Sequence, residues 1–283
     1  MISNKHIKCR VRILLFLFSL VYSCGLSART SARILVSPLV TMKQSLTKEI
    51  LLVPSNSGDV DLLTQGFSQI NNFCKKEDIS SCDDFVFFLK RSTQYPWDYF
   101  MKVLEAKYGC DNASQEFQGL AAEVQDELGF SQANCIIVRS LVEDGFLAVC
   151  YPGGVVINEE ILGKAAYGVK RKVFFHEFFH KKYRDDLFGQ FFMYFQKKCI
   201  CSWPFVQKLS FYIEQRADRS AYKASKCYRC VEDCYNFFQN YKLRVSKGYL
   251  LQDEIMQFRD QFKRENKLCK YHRLHDAGSI GIA

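Results

Sequence analysis

Histidine is scarce in this chain. It has five in 283 residues, and one of them, His6, lies in the N-terminal leader. Past the leader there is no second run of 18 apolar residues, which excludes a further membrane-crossing helix and leads us to expect a soluble mature protein. There is no glycine-rich phosphate loop, no internal repeat and no low-complexity tract. No long Lys/Arg block interleaved with aromatics occurs either, so no nucleic-acid partner is expected.

What is present is an ordinary globular composition, 48% hydrophobic and 24% charged. The 25 Phe and 15 Tyr are enough for a core of real size. The length suits one large domain, or a domain with a helical extension.

Lys5, Lys8, Arg10 and Arg12 precede the apolar run ILLFLFSLVYSCGL, and small residues follow at Ser27 and Ala28. That order is a secretory signal over 1–28, with the mature chain beginning near Arg29. An uncleaved anchor and a lipoprotein signal acylated at Cys24 are the weaker alternatives; Tyr22 suits the second poorly. Thirteen cysteines, two of them in the leader, leave eleven in an exported chain, which points to disulfides. An odd number leaves at least one thiol free or paired with another molecule. Without the four basic leader residues the net charge falls from +9 to +5, a mildly basic surface that leaves membrane-surface association open.

The coarse organisation is helix-rich. EILLVP reads as a strand-like piece in an otherwise irregular stretch. Val60, Leu63, Phe67 and Ile70 have helical spacing after a Ser57-Gly58-Asp59 start. Helices are expected at 84–90 and 97–108, and over 114–129, ending at a glycine. CIIVRSL, FLAVCY and GGVVIN read as three strands, the last two hinged at Pro152-Gly153-Gly154. Helices then follow at 165–184, at 187–198, from Pro204 past Ser220, at 229–242 and at 250–266. The fold class is α+β, mainly helical, with 29–110 as an N-terminal segment of unassigned role and 111–283 as the main domain.

Two of the four histidines beyond the leader fall in one pentapeptide, HEFFH: His176, Glu177, His180. A step of four on a helix puts both imidazoles on one face, where they can reach one tetrahedral metal. Glu177 follows the first ligand, so its carboxylate can take the proton from a water that zinc has acidified. The bland alternative is two histidines packed among Phe174, Phe175, Phe178 and Phe179. A third ligand is needed, and Glu214 and Asp218, four apart in FYIEQRADRSAY, share a face of the following long helix. Asp185 and Asp186 compete, but they sit five and six residues past His180 on the same helix, and a ligand there would have to bend back over more than a turn, which a straight helix does not allow. CYRCVEDC places Cys227, Cys230 and Cys234 on one helix face, with Cys199 and Cys201 upstream. Disulfides between these groups are expected over a structural zinc.

YPGGVVINEEIL, HEFFHKKYRD and EQRAD, in that order and at that short separation, resemble the P-G-G strand, the zinc helix and the E-x-x-A-D helix of the HtpX and CAAX prenyl protease metallopeptidases. The likeness covers roughly residues 115–245. It implies a gluzincin fold with a small sheet beside the active-site helix. It also implies one Zn2+ per chain on His176, His180 and Glu214, Glu177 as general base, and Asp218 gripping a ligand histidine. The strand at Gly153, Gly154, Val155 and Val156 would pair with an extended polypeptide substrate. The chain lacks the hydrophobic spans of the family's membrane-embedded members, so it resembles a compact exported form. The family's later His-Pro motif has no match; His272 and His275 in YHRLHDAG, or Tyr271 or Arg273, are the candidates to steady an oxyanion, and an exposed tail is the alternative. The implied function is an exported zinc endopeptidase acting on unfolded or misassembled envelope proteins. A non-catalytic, cysteine-rich binding or structural module is the rival, against which the intact Glu177 stands.

Overall fold

The computed structural model describes residues 57–79, 84, 87, 88, 112–130, 137–140, 147–151, 154–185, 192, 194–241 and 250–278. The leader, EILLVP, the helix expected at 97–108, Pro152 and Gly153 lie outside them. The described chain is mainly helical with one small sheet. In order it runs α1 (Ser57–Lys76), α2 (Gln115–Leu128), β1 (Ile137–Ser140), β2 (Ala148–Tyr151), β3 (Gly154–Ile157), α3 (Glu159–Gly163), α4 (Tyr167–Tyr183), α5 (Trp203–Ser225), α6 (Tyr228–Tyr241), α7 (Gln252–Arg264) and α8 (Lys270–Gly278). The sheet order is β1-β3-β2. No helix among the described residues is long and apolar enough to cross a membrane.

The described residues group into two compact units, and α4 and α5 are continuous helices that contribute to both. The first unit takes in 149–154 and 180–213 beside the N-terminal stretch. The reason is hydrophobic: a lone amphipathic helix has nothing to bury its stripe against. Leu63, Phe67, Ile70 and Cys74 of α1 form such a stripe and pack with Phe192, Phe195 and, on α5, Phe205, Val206, Leu209 and Tyr212. Phe205 meets Phe67 edge-to-face with ring centroids 5.6 Å apart, which requires α1 to approach closely at Gly66. Asp59, in the first turn of α1, accepts from Lys208 Nζ at 2.8 Å and Tyr212 Oη at 3.1 Å. Burial pushes the Cys74 thiol up to about 11 and that of Cys201 to about 12.

In the second unit α2 ends as its sequence requires. Gly129 adopts φ +72°, and the N–H groups of Gly129 and Phe130 close on Asp126 and Gln125 carbonyls. The Asn158 side chain caps α3 by accepting from Ile161 N at 3.1 Å. α4 is buried through 171–180, with Val169, Val173, Phe174, Phe175 and Phe178 in the core. Its buried cations are paired: Arg171 donates to Glu127 and to the Ser225 carbonyl. The C-terminal stretch is helical rather than a loose tail, with Tyr271 of α8 stacked on Tyr167 at 4.0 Å.

Two glycines make opposite predictions. A Cβ at Gly66 would stand 2.1 Å from the Phe205 ring, so Gly66→Ala should lower stability by about 1–3 kcal/mol. Gly119 faces open space within α2, so Gly119→Ala should raise it by about 0.5–1 kcal/mol. Urea denaturation of both variants checks the pair of signs. Exposed Cys199 should alkylate in the native protein while buried Cys74 and Cys201 react only on unfolding, which peptide mass mapping would read.

Candidate metal centre

His176 and His180 sit one turn apart on α4, both buried at 3% and 4% exposure. Glu214 projects from α5. One ligand atom from each of His176, His180 and Glu214 can be chosen so that all lie within 4.8 Å of one another. His176 Nε2 is 3.2 Å from Glu214 Oε2. Two ligands on one tetrahedral zinc, with bonds of about 2.0–2.2 Å, stand roughly 3.3 Å apart. The donor set, two imidazoles and a carboxylate, and the observed spacing therefore fit a zinc ion with a further coordination position to spare.

Each imidazole is held from behind by an aspartate. His176 Nδ1 lies 3.4 Å from Asp218 Oδ1, so Nε2 is the nitrogen turned to Glu214. His180 Nδ1 lies 3.0 Å from Asp185 Oδ2, which leaves Nε2 for a metal. Asp218 is also ion-paired with Lys172 and accepts from Leu250 N at 3.1 Å. Burial alone would raise its pKa; the Lys172 ammonium and the His176 ring outweigh that and hold it well below the usual carboxylate range.

Asp185 is not among the three residues whose ligand atoms converge, but sequence reasoning did not foresee its place behind His180. α4 stops at Tyr183, Arg184 takes a left-handed φ of +55°, and beyond that turn Asp185 lies against His180. The signal available was the acidic residue just past a helix end, which only the turn makes meaningful. Lys172 was missed as well; a basic residue on an apolar helix carries no mark of the buried partner awaiting it.

The other expected residues fall as follows. Glu177 follows His176 on α4 and is 7% exposed. Gly153 lies outside the described residues, while Gly154, Val155 and Val156 form β3. β3 is the middle strand, hydrogen-bonded on both sides, so the expectation that it receives an extended substrate is corrected: strand addition needs a free edge. His272 is also corrected as an oxyanion candidate. Its Nδ1 faces Cys227 and Cys269 at 3.3 and 3.2 Å, and its Nε2 faces Asp233 at 3.6 Å. His275 is exposed beside Tyr271, with ring centroids 4.3 Å apart. Cys234 does not join Cys227 and Cys230; its thiol donates to the Gly168 carbonyl at 3.5 Å. Among the described cysteines no pair is disulfide-bonded.

No protein-family model, no curated protein and no solved structure matches the chain.

Removing the aspartates should separate metal affinity from stability. Asp185→Ala and Asp218→Ala should each weaken zinc binding at this site by about 10–100-fold, measured by chelator competition. Asp218→Ala should also cost about 3–5 kcal/mol in urea denaturation, because it strands the Lys172 ammonium. Adding Lys172→Met to it should recover stability but not affinity.

Proposed function

We propose that the chain is a zinc-dependent endopeptidase of the gluzincin kind, similar to the HtpX and CAAX prenyl protease metallopeptidases, acting on extended polypeptide. The observation that carries this reading is the 3.2 Å approach of His176 Nε2 to Glu214 Oε2, on two helices whose HEFFH and EQRAD spacings match that family's. The buried Glu177, next to a ligand histidine, supports hydrolysis over mere metal storage.

His176, His180 and Glu214 would hold the ion. When bound, zinc supplies Lewis acidity toward water and toward a peptide carbonyl. Glu177 takes a proton from the attacking water on its carboxylate and passes it to the leaving amide nitrogen as the C–N bond breaks. Asp218 and Asp185 lie at the Nδ1 atoms of His176 and His180, an arrangement that would leave both Nε2 lone pairs for the ion. Glu214 would add a negative charge that offsets part of the metal's. An extended substrate adds to an outer strand, β1 or β2, since β3 has no edge. Export past the leader and unfolded envelope proteins as substrates belong to the same proposal.

The test uses two variants of the full chain and an unfolded casein-like protein as substrate. Glu177→Gln should keep its zinc and lose cleavage, by at least about 10²-fold, because the ligands stay while proton transfer goes. Glu214→Ala should lose zinc from this site and activity together. Wild-type protein that holds zinc here and cleaves nothing, or Glu177→Gln that cleaves normally, would leave the non-catalytic module as the better reading.

A further inference from the structure

We infer that the chain holds a second metal ion, a structural zinc bound by Cys227, Cys230, Cys269 and His272. These four residues can offer ligand atoms that all lie within 4.8 Å of one another, and none belongs to the HEFFH group. Cys230 Sγ is 3.8 Å from Cys269 Sγ. His272 Nδ1 is 3.3, 3.6 and 3.2 Å from the sulfurs of Cys227, Cys230 and Cys269. On a tetrahedral zinc with Zn–S about 2.3 Å and Zn–N about 2.0–2.1 Å, two sulfurs stand roughly 3.8 Å apart and a sulfur and a nitrogen roughly 3.5 Å. The observed spacings match both. A disulfide joins two sulfurs and gives no reason for a third sulfur and an imidazole to converge on the same point.

The local structure explains why these residues meet. Cys227 and Cys269 each stand immediately before a helix, and their carbonyls accept from Val231 N at 3.2 Å and Arg273 N at 3.0 Å. Each is thus the cap of its helix, α6 and α8, and the second ligand lies three residues on, Cys230 and His272. The Cys230 N–H points to Cys227 Sγ at 3.5 Å. Two helix starts with their positive dipole ends face one centre, an arrangement that favours thiolate over thiol. Cys227, Cys230 and Cys269 are buried, so three thiolates there need a compensating cation. The other ring nitrogen of His272 is turned to Asp233, with Nε2 3.6 Å from Oδ2. The same carboxylate oxygen accepts from Gly168 N at 3.1 Å, at the start of α4. A closed Cys3His site is structural in type, with no position open to substrate. It fastens the nine-residue α8, too short to be stable alone, and through Asp233 it secures the first turn of the helix that carries HEFFH.

This site does not depend on the peptidase reading, and its test keeps the two apart. Full-length protein purified under reducing conditions should contain two zinc ions per chain by metal mass spectrometry. Glu214→Ala should retain one, and Cys227→Ser/Cys269→Ser should also retain one. Cobalt(II) substituted into wild type and into Glu214→Ala should give strong sulfur-to-cobalt charge-transfer absorption in the near ultraviolet. The Cys227→Ser/Cys269→Ser protein should lack that band. His272→Cys should keep both the ion and the band, as a four-sulfur site. Cobalt protein without the band in wild type, or wild-type zinc left undiminished by the double cysteine variant, would overturn the proposal. The wild-type spectrum decides even if the double variant fails to fold.

Discussion

The Asp218 carboxylate, 1% exposed, lies against both the Lys172 ammonium and the His176 ring. Taking such ions out of water costs several kcal/mol each, so the arrangement survives only if their mutual attraction and added hydrogen bonds offset the loss. The Leu250 N–H supplies one such bond to Asp218, and the rings of Tyr222 and Phe238 lie 5.1 and 5.5 Å from Lys172 Nζ. Lys172 and His176 are one turn apart on α4, as Asp218 and Glu214 are on α5. Satisfying Asp218 therefore sets the register of one helix on the other, and that register is what brings Glu214 opposite His176.

Three aspartates perform the same service for three histidines. Asp218 lies behind His176, Asp185 behind His180 and Asp233 behind His272, each at the ring nitrogen turned away from the converging ligands. A carboxylate there fixes the tautomer and raises the basicity of the other nitrogen. The two groups differ in what they leave open. On a tetrahedral metal, two nitrogens and an oxygen would leave a coordination position for chemistry, whereas three sulfurs and a nitrogen would close the tetrahedron. The carboxylates also answer a problem of α4, a helix buried throughout 171–180 that nevertheless carries His, Lys and Arg there. Its polar side chains are tolerated because specific partners meet them, and its start is drawn tight where Gly168 approaches the Cys230 backbone.

The HEFFH spacing by itself determined that two imidazoles share a face, because the helical period is a property of the backbone and needs no partner. Helix starts and stops were legible for the same reason: Gly129 ends α2 and Pro204 sits in the first turn of α5 through local backbone chemistry. The apolar stripe of α1 was legible too, but not what covers it. That Asp185 stands behind His180 was not legible, because it depends on the left-handed turn at Arg184. β3 was misread because the place of a strand within a sheet depends on its neighbours, and two strands flank it. The cysteines were grouped by sequence proximity, Cys227, Cys230 and Cys234, whereas the packing of α8 on α6 exchanges Cys234 for Cys269 and His272. Cys230 and Cys269 are 39 residues apart, and no local period links them. Their meeting is decided only when the buried faces of separate helices pack, since burial acts on surfaces that come together in space and carries no memory of distance along the chain.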